Sequence, residues 1–241
     1  MAGQACSLLV VNTAERVGVR SLSDLTARAR IRDAAITRFA EVGFDAPFRT
    51  IAALAGVSPA LITHHFGSKA ALRAECDAEV LRRYHDLKSE AIGGPSAYLV
   101  DRLAVPGPAA VVLVYILRAI HFGGPTAAAF LESLLDHVRE IMAESAAAGL
   151  IRPSRDEEAR LRYLTNQTMG AMLVEFLVAP GLTPDEFVAS LVSGRRDSVL
   201  PTLELYTEGL LTDSTLLDDY LSYRTAASPR PPSPEPVTAP V

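Results

Sequence analysis

The stretch Phe48-Arg-Thr-Ile-Ala-Ala-Leu-Ala-Gly56-Val-Ser-Pro-Ala-Leu-Ile-Thr-His-His65 has the spacing of a helix-turn-helix. Thr50 is expected to open a short helix that stops at Gly56, and Ser58 a second that stops near Gly67. Two short helices that cross steeply need a small side chain where their backbones approach, which Ala52 supplies. The sharp turn needs a residue tolerant of positive φ, and Gly56 stands there. Ile51, Leu54, Val57 and Ile62 are the apolar contacts expected to lock the pair. At about 100° per residue, Leu61, Ile62, His65 and Phe66 share one side of the second helix. Pro59, Ala60, Thr63 and His64 share the other. The first set belongs against a core. The second is short or polar and lies towards the positive end of a helix dipole, which favours phosphate. Such a face suits a helix in the DNA major groove: small side chains permit close approach, and a hydroxyl and an imidazole reach base edges. A hairpin inside a core, with His64 and His65 incidental, is the competing account. Adjacent histidines point about 100° apart and cannot chelate one ion from one face, so no metal is expected here.

Outward from this stretch, helical period continues. Upstream, Ile31, Ala35, Phe39 and Val42 mark one face of a first helix ending at Gly43. Downstream, Ser68 caps a long helix to about Ala91, followed by helices over 95–103, 107–121, 125–148, 154–179, 184–193, 197–211 and 213–224. Ser154 with Glu157, and Thr183 with Glu186, fit capping boxes. Period-two alternation is nearly absent. The expected fold is all-α, with a small first unit and a larger second one. The expected divisions are an arm over 1–22, the helix-turn-helix domain over 23–68, the larger domain over 69–224 and a disordered tail over 225–241. Six prolines within residues 229–241 exclude regular structure there.

Composition narrows the classes. The 241 residues are 49% hydrophobic and 21% charged, with mean hydropathy +0.20. Two cysteines, Cys6 and Cys76, supply neither a disulfide framework nor a zinc site. The longest apolar run, 108–117, stops at Arg118, short of the roughly 18 residues a membrane span needs. No basic residue precedes the apolar Leu8 to Val11, so no secretory signal is read and the expected location is cytoplasmic, away from membranes. The net charge is −5, yet residues 16–69 hold eight basic and four acidic side chains, a balance of +4. A basic first segment joined to an acidic remainder suggests a polyanion-binding module. Arg16, Arg20, Arg28, Arg30 and Arg32 precede or begin the first helix, where an arginine-bearing extension can enter a minor groove.

The residues Thr50 through Leu72, with Gly56, Ser58-Pro59 and Lys69 in place, resemble the DNA-binding signature of the TetR-type (TetR/AcrR) transcriptional regulators. Ala34 to Phe44 is similar to that family's first helix, so the resemblance spans about residues 28–73. It implies an N-terminal three-helix DNA-binding domain with the helix-turn-helix, and a larger C-terminal helical ligand-binding and dimerisation domain. It further implies a homodimer on double-stranded operator DNA of palindromic sequence, acting as a repressor until a small-molecule effector of unread identity enters the larger domain. No cofactor is implied. Carried over by position, Thr50 and Lys69 contact phosphate, while Ser58, Pro59, Ala60, Leu61, Thr63 and His64 complete the DNA-binding set. Where the family commonly has tyrosine this chain has Thr63, too short for the same phosphate contact, so its role stays open. Lys69 has support of its own: only two of the 23 basic residues are lysines, and this one starts a helix after the recognition helix. A solvated surface lysine is the alternative.

In the larger domain, helix 154–179 turns apolar on every side from Met169 onward, through Met172 and Phe176. A helix apolar all round must be covered all round. Val199, Leu203, Tyr206 and Leu210 mark a second apolar helix. The resemblance points to a four-helix dimer interface from this pair, and an internal core is the alternative. Tyr115, Arg118, His121 and Phe122 on one helix, with Asn166, Gln167 and Met169 on another, are candidate effector-site residues. Polar groups converging in an apolar wall make such sites, although ordinary core hydrogen bonds explain each residue singly. An all-α enzyme of the ferritin-like type lacks its paired Glu-x-x-His, and no phosphate loop or Gly-x-Ser-x-Gly occurs. A dimeric helical scaffold without DNA binding is disfavoured by the outward Thr63-His64 face.

Overall fold

The computed structural model describes residues 27–92 and 108–227, and the regular elements among them are helices. In chain order they are α1 (Ala27–Val42), α2 (Phe48–Ala55), α3 (Pro59–Phe66), α4 (Lys69–Ile92), α5 (Pro108–His121), α6 (Gly124–Ala147), α7 (Glu157–Val178), α8 (Pro184–Thr207) and α9 (Thr215–Ala227). The expected arm over 1–22, the short helix over 95–103 and the proline-rich residues from 228 onward lie outside the described residues.

Local chemistry sets the ends of the first helices. Gly43, at φ +88°, ends α1, and its N–H donates to the Phe39 carbonyl at 3.0 Å. Helix α2 begins at Phe48, two residues before the expected start at Thr50. Pro47 is the reason: held extended at φ −73° and ψ 149°, it already occupies the capping position. Thr50 therefore falls in the first turn, where its hydroxyl donates to the Pro47 carbonyl at 2.8 Å. Gly56 takes φ +66°, and the Val57 N–H closes back on the Ala52 carbonyl at 3.0 Å. Ser58 caps α3 by accepting from the Leu61 N–H at 3.3 Å. Ser68 caps α4 in the same way, accepting from the Ala71 N–H at 3.1 Å. Ile51 and Ile62 are fully buried and Val57 packs against the core, but Leu54 is exposed and locks nothing. The buried side of α2 is Ile51, Ala52 and Ala55, and Leu54 lies off it.

Later boundaries shift for equally local reasons. Helix α7 starts at Glu157, three residues after the expected Ser154, because the Asp156 carboxylate caps it by accepting from the Ala159 N–H at 2.9 Å. The Ser154 N–H still reaches Glu157 Oε1 at 2.6 Å. Thr183 and Glu186 form the full reciprocal box, with Thr183 N–H to Glu186 Oε2 at 2.8 Å and Glu186 N–H to Thr183 Oγ1 at 3.3 Å. The two helices expected over 184–193 and 197–211 are one, α8, which runs through Gly194 and Pro201. A mid-helix glycine costs only about 1 kcal/mol, and an interior proline, at about 3 kcal/mol, can kink a helix rather than end it. The stop comes at Gly209, at φ +83°. Helix α9 extends to Ala227, three residues into the expected tail.

The packing does not divide at residue 68. Compact units run to Ser193 and from Gly194 onward. In the first, one apolar core joins Phe39, Ile51, Ile62 and Leu72 to Tyr115, Leu134, Met169 and Phe187. Helices α1 to α3 thus share a core with α4 and α5. Phe44 sits edge-on to Tyr115 with centroids 5.3 Å apart. The second unit, taken alone, exposes Leu200, Leu203, Tyr206, Leu210 and Leu211. Among the described residues no helix is long and apolar enough to cross a membrane.

Candidate nucleic-acid interface

Helix α3 presents the two sides that its angular period predicts. Ile62 and Phe66 are buried, Leu61 and His65 half-buried, and Pro59, Ala60, Thr63 and His64 exposed. Leu61 packs against the core and so belongs only partly to the outer face. Thr50 and Lys69 flank α3 and are both half-buried, while Ser58 is exposed at its first turn. The imidazoles of His64 and His65 stand 5.4 Å apart. The exposed face of α3 thus has a proline and an alanine leading and a hydroxyl and an imidazole behind.

Arg28, grouped by sequence with the arginines that precede or begin the first helix, braces α3 from behind. Its Nη1 donates to the His65 carbonyl at 2.6 Å, and its Nε and Nη2 reach Glu75 Oε2 at 3.0 and 2.5 Å. Its guanidinium lies 4.6 Å over the Phe66 ring. A cation on the last carbonyls of a helix satisfies an orphan acceptor and opposes the negative dipole end. Arg32 also turns inward, 3.4 Å from Glu79, which Arg82 and Arg83 contact as well. Arg83 reaches on to Asp33, tying α4 to α1. Burial pushes the Glu79 carboxyl up, but hydrogen bonds from Arg82 and Arg83 and the charges of Arg83 and Arg32 outweigh it and hold it down at about 2.

The candidate effector residues separate into two groups. Tyr115, Arg118 and Phe122 gather where α5 meets α1 and α4. The buried Tyr115 hydroxyl donates to Asp77 Oδ1 at 2.6 Å. Burial raises the Asp77 carboxyl despite that bond and the nearby Arg73 charge. Arg118 donates from Nε to the Ala40 carbonyl at 2.6 Å and from Nη2 to the Glu41 carbonyl at 2.8 Å. Phe122, 55% exposed, shares the Arg73 guanidinium with Phe44, at 4.4 and 3.7 Å from the ring centroids. His121 is exposed. On α7, Asn166 and Gln167 are exposed while Met169 is buried, because Leu161, Thr165 and Met169 form the inward stripe four residues apart. The structure therefore does not bring the seven together. Sequence reasoning missed Arg73, Asp77 and Thr165. Arg73 and Asp77 had a readable signal, an i,i+4 charge pair on α4. Thr165 is buried with no partner for its hydroxyl.

The candidate dimer residues also redistribute. Met172 and Phe176 pack against the chain's own core, and Phe176 meets Phe187 edge-on at 5.6 Å. The outward side of α7 carries Tyr163, Val174, Leu177 and Val178, with Gly170 opening onto empty space. Leu203, Tyr206 and Leu210 are exposed within their own unit, and Val199 lies outside the described side chains.

A braced helix-turn-helix on an α-helical body defines a DNA-binding regulator. The chain belongs to the TetR family of transcriptional regulators. Residues 31–76 match the family described as bacterial regulatory proteins, tetR family, and residues 108–212 match the tetracyclin repressor-like C-terminal domain. The HTH-type transcriptional regulatory protein RaaS of Mycobacterium tuberculosis is 38% identical over 202 residues, covering 83% of this chain and 94% of RaaS. Solved structures that align with the chain include Salmonella enterica GusR, at 21% identity and TM-score 0.43 over 73% of this chain and 95% of that one. The TetR family transcriptional regulator PfmR from Thermus thermophilus aligns at 19% identity and TM-score 0.42 over 78% and 100%.

Proposed function

We propose that this regulator is a homodimeric, cytoplasmic repressor that leaves a palindromic operator when a small molecule binds its larger domain, and that it uses no metal or other cofactor. The observation that carries the reading is the exposed face of Pro59, Ala60, Thr63 and His64 on a helix whose back is buried and capped by Arg28. On this account Thr50 and Lys69 grip phosphate on either side, Ser58 fixes the first turn, and Thr63 and His64 address base edges. Leu61 supports the face from its half-buried side.

Dimerisation is supported by the α7 stripe of Tyr163, Val174, Leu177 and Val178, a run of large exposed apolar side chains broken by Gly170, where a second helix can approach closely. Effector binding is supported by Thr165: a buried hydroxyl without a partner costs roughly 1–3 kcal/mol, which a ligand with a matching polar group would recover. Footprinting on DNA flanking the chain's own gene tests the reading. It should protect an inverted repeat with half-site centres about 34–36 Å apart or a multiple of that. Its affinity should fall steeply with salt as phosphate contacts release counterions. No protected repeat, or binding indifferent to salt, contradicts it.

A further inference from the structure

Two arginines in series hold the recognition helix, and neither lies on its exposed face. Arg118, in the last turn of α5, donates to the carbonyls of Ala40 and Glu41 at 2.6 and 2.8 Å. Both carbonyls are in the last turn of α1, where acceptors have no intrahelical partner. Arg28, in the first turn of α1, does the same to α3 through the His65 carbonyl at 2.6 Å. Helix α1 has 16 residues and is therefore a rod of about 24 Å with a clamp at each end. Arg118 is also stacked 5.3 Å from the ring of Phe176 on α7. One guanidinium thus touches α1 and α7 from its place on α5, and α1 passes its position to α3. The planar fork matters: it spans two successive carbonyls, which a lysine ammonium does not do with fixed geometry.

We propose that Arg118 is a positioning residue for DNA binding: it fixes the angle of α1, and through Arg28 that of α3, against the regulatory helices, and so sets the half-site spacing that the regulator accepts. The proposal rests on the homodimer reading above. Motion at the α5 end reaches the DNA through this hydrogen-bonded chain, whereas the DNA-facing side chains themselves stay unchanged.

The test uses the full chain and duplexes carrying the footprinted half-site, either alone or paired at spacings changed one base pair at a time. Arg118→Met keeps an unbranched apolar stem and removes both hydrogen bonds; Arg118→Lys keeps the charge and loses the fork. The wild type should favour one spacing sharply. Arg118→Met should bind a single half-site as well as wild type, with the same salt slope, because no phosphate contact is lost. Its preference for the best spacing over a two-base-pair offset should fall about tenfold, or about 1.4 kcal/mol, and Arg118→Lys should fall between. A spacing profile in Arg118→Met as sharp as wild type overturns the proposal. So does loss of half-site binding in both variants, which would make Arg118 a residue of folding alone. A wild type without any spacing preference removes the homodimer reading and this proposal together, and that outcome is distinct from the other two.

Discussion

Gly56 and Ser58 are where single residues decide most. The space around a Cβ at Gly56 is empty, so Gly56→Ala meets only the cost of φ +66°. That cost is roughly 1–2 kcal/mol, and denaturant unfolding should show it in full with near-unchanged slope. Ser58→Ala should lose about 1 kcal/mol from the missing cap. A variant as stable as wild type would contradict either assignment. Both residues are legible in the sequence because their requirements are local: a positive φ and a free N–H three residues on. The roles of Arg28 and Arg118 are not legible, since the carbonyls they meet lie 37 and 78 residues away. Long flexible side chains announce charge in a sequence, not destination, which is why Arg28 resembles a DNA contact there. Tyr115 and Arg118 resemble effector ligands on the same footing, whereas Asp77 and the α1 carbonyls already occupy them.

At the scale of elements, the α1–α4 contact carries a pH dependence. Glu79 is held at about 2 against an ordinary value of 4.5, so its folded form binds protons less readily than the unfolded chain. The stability it contributes is fully present above about pH 4.5 and is lost as pH falls towards 2. Each unit of difference is worth about 1.4 kcal/mol, giving an upper bound near 3.5 kcal/mol for a side chain 10% exposed. Glu79→Gln should lower stability at neutral pH and flatten the acid limb of a stability–pH curve. An acid limb as steep in the variant as in wild type would show that other carboxylates carry it. Most helix positions are visible in the period of apolar residues, Ile31 to Phe39 being the clearest case. The ends move wherever capping alternatives compete: Pro47 ahead of Thr50, Asp156 after Ser154. The break expected near Gly194 fails because glycine weakens a helix without stopping it.

For the whole molecule, the all-helical class and the α3 face follow from the sequence, while the side of α7 left exposed does not. An all-round apolar helix does not say which side its own core takes; here Met172 and Phe176 face inward and Val174 and Leu177 outward. Val174→Glu should raise the dimer dissociation constant at least a hundredfold, about 2.7 kcal/mol, by burying an unpaired charge, with helical content unchanged in sedimentation samples. A dimer as tight as wild type would place the interface elsewhere. The central claim is that the outer face of α3 reads DNA while its flank grips the backbone. It is tested most directly by measuring His64→Ala and Lys69→Ala on operator and on random duplex across a salt series. Lys69→Ala should weaken both DNAs by similar factors and lower the salt slope by about one. His64→Ala should erode the preference for operator by about 1–3 kcal/mol and leave the slope alone. The reverse pattern, with specificity lost in Lys69→Ala and uniform weakening in His64→Ala, would contradict the account.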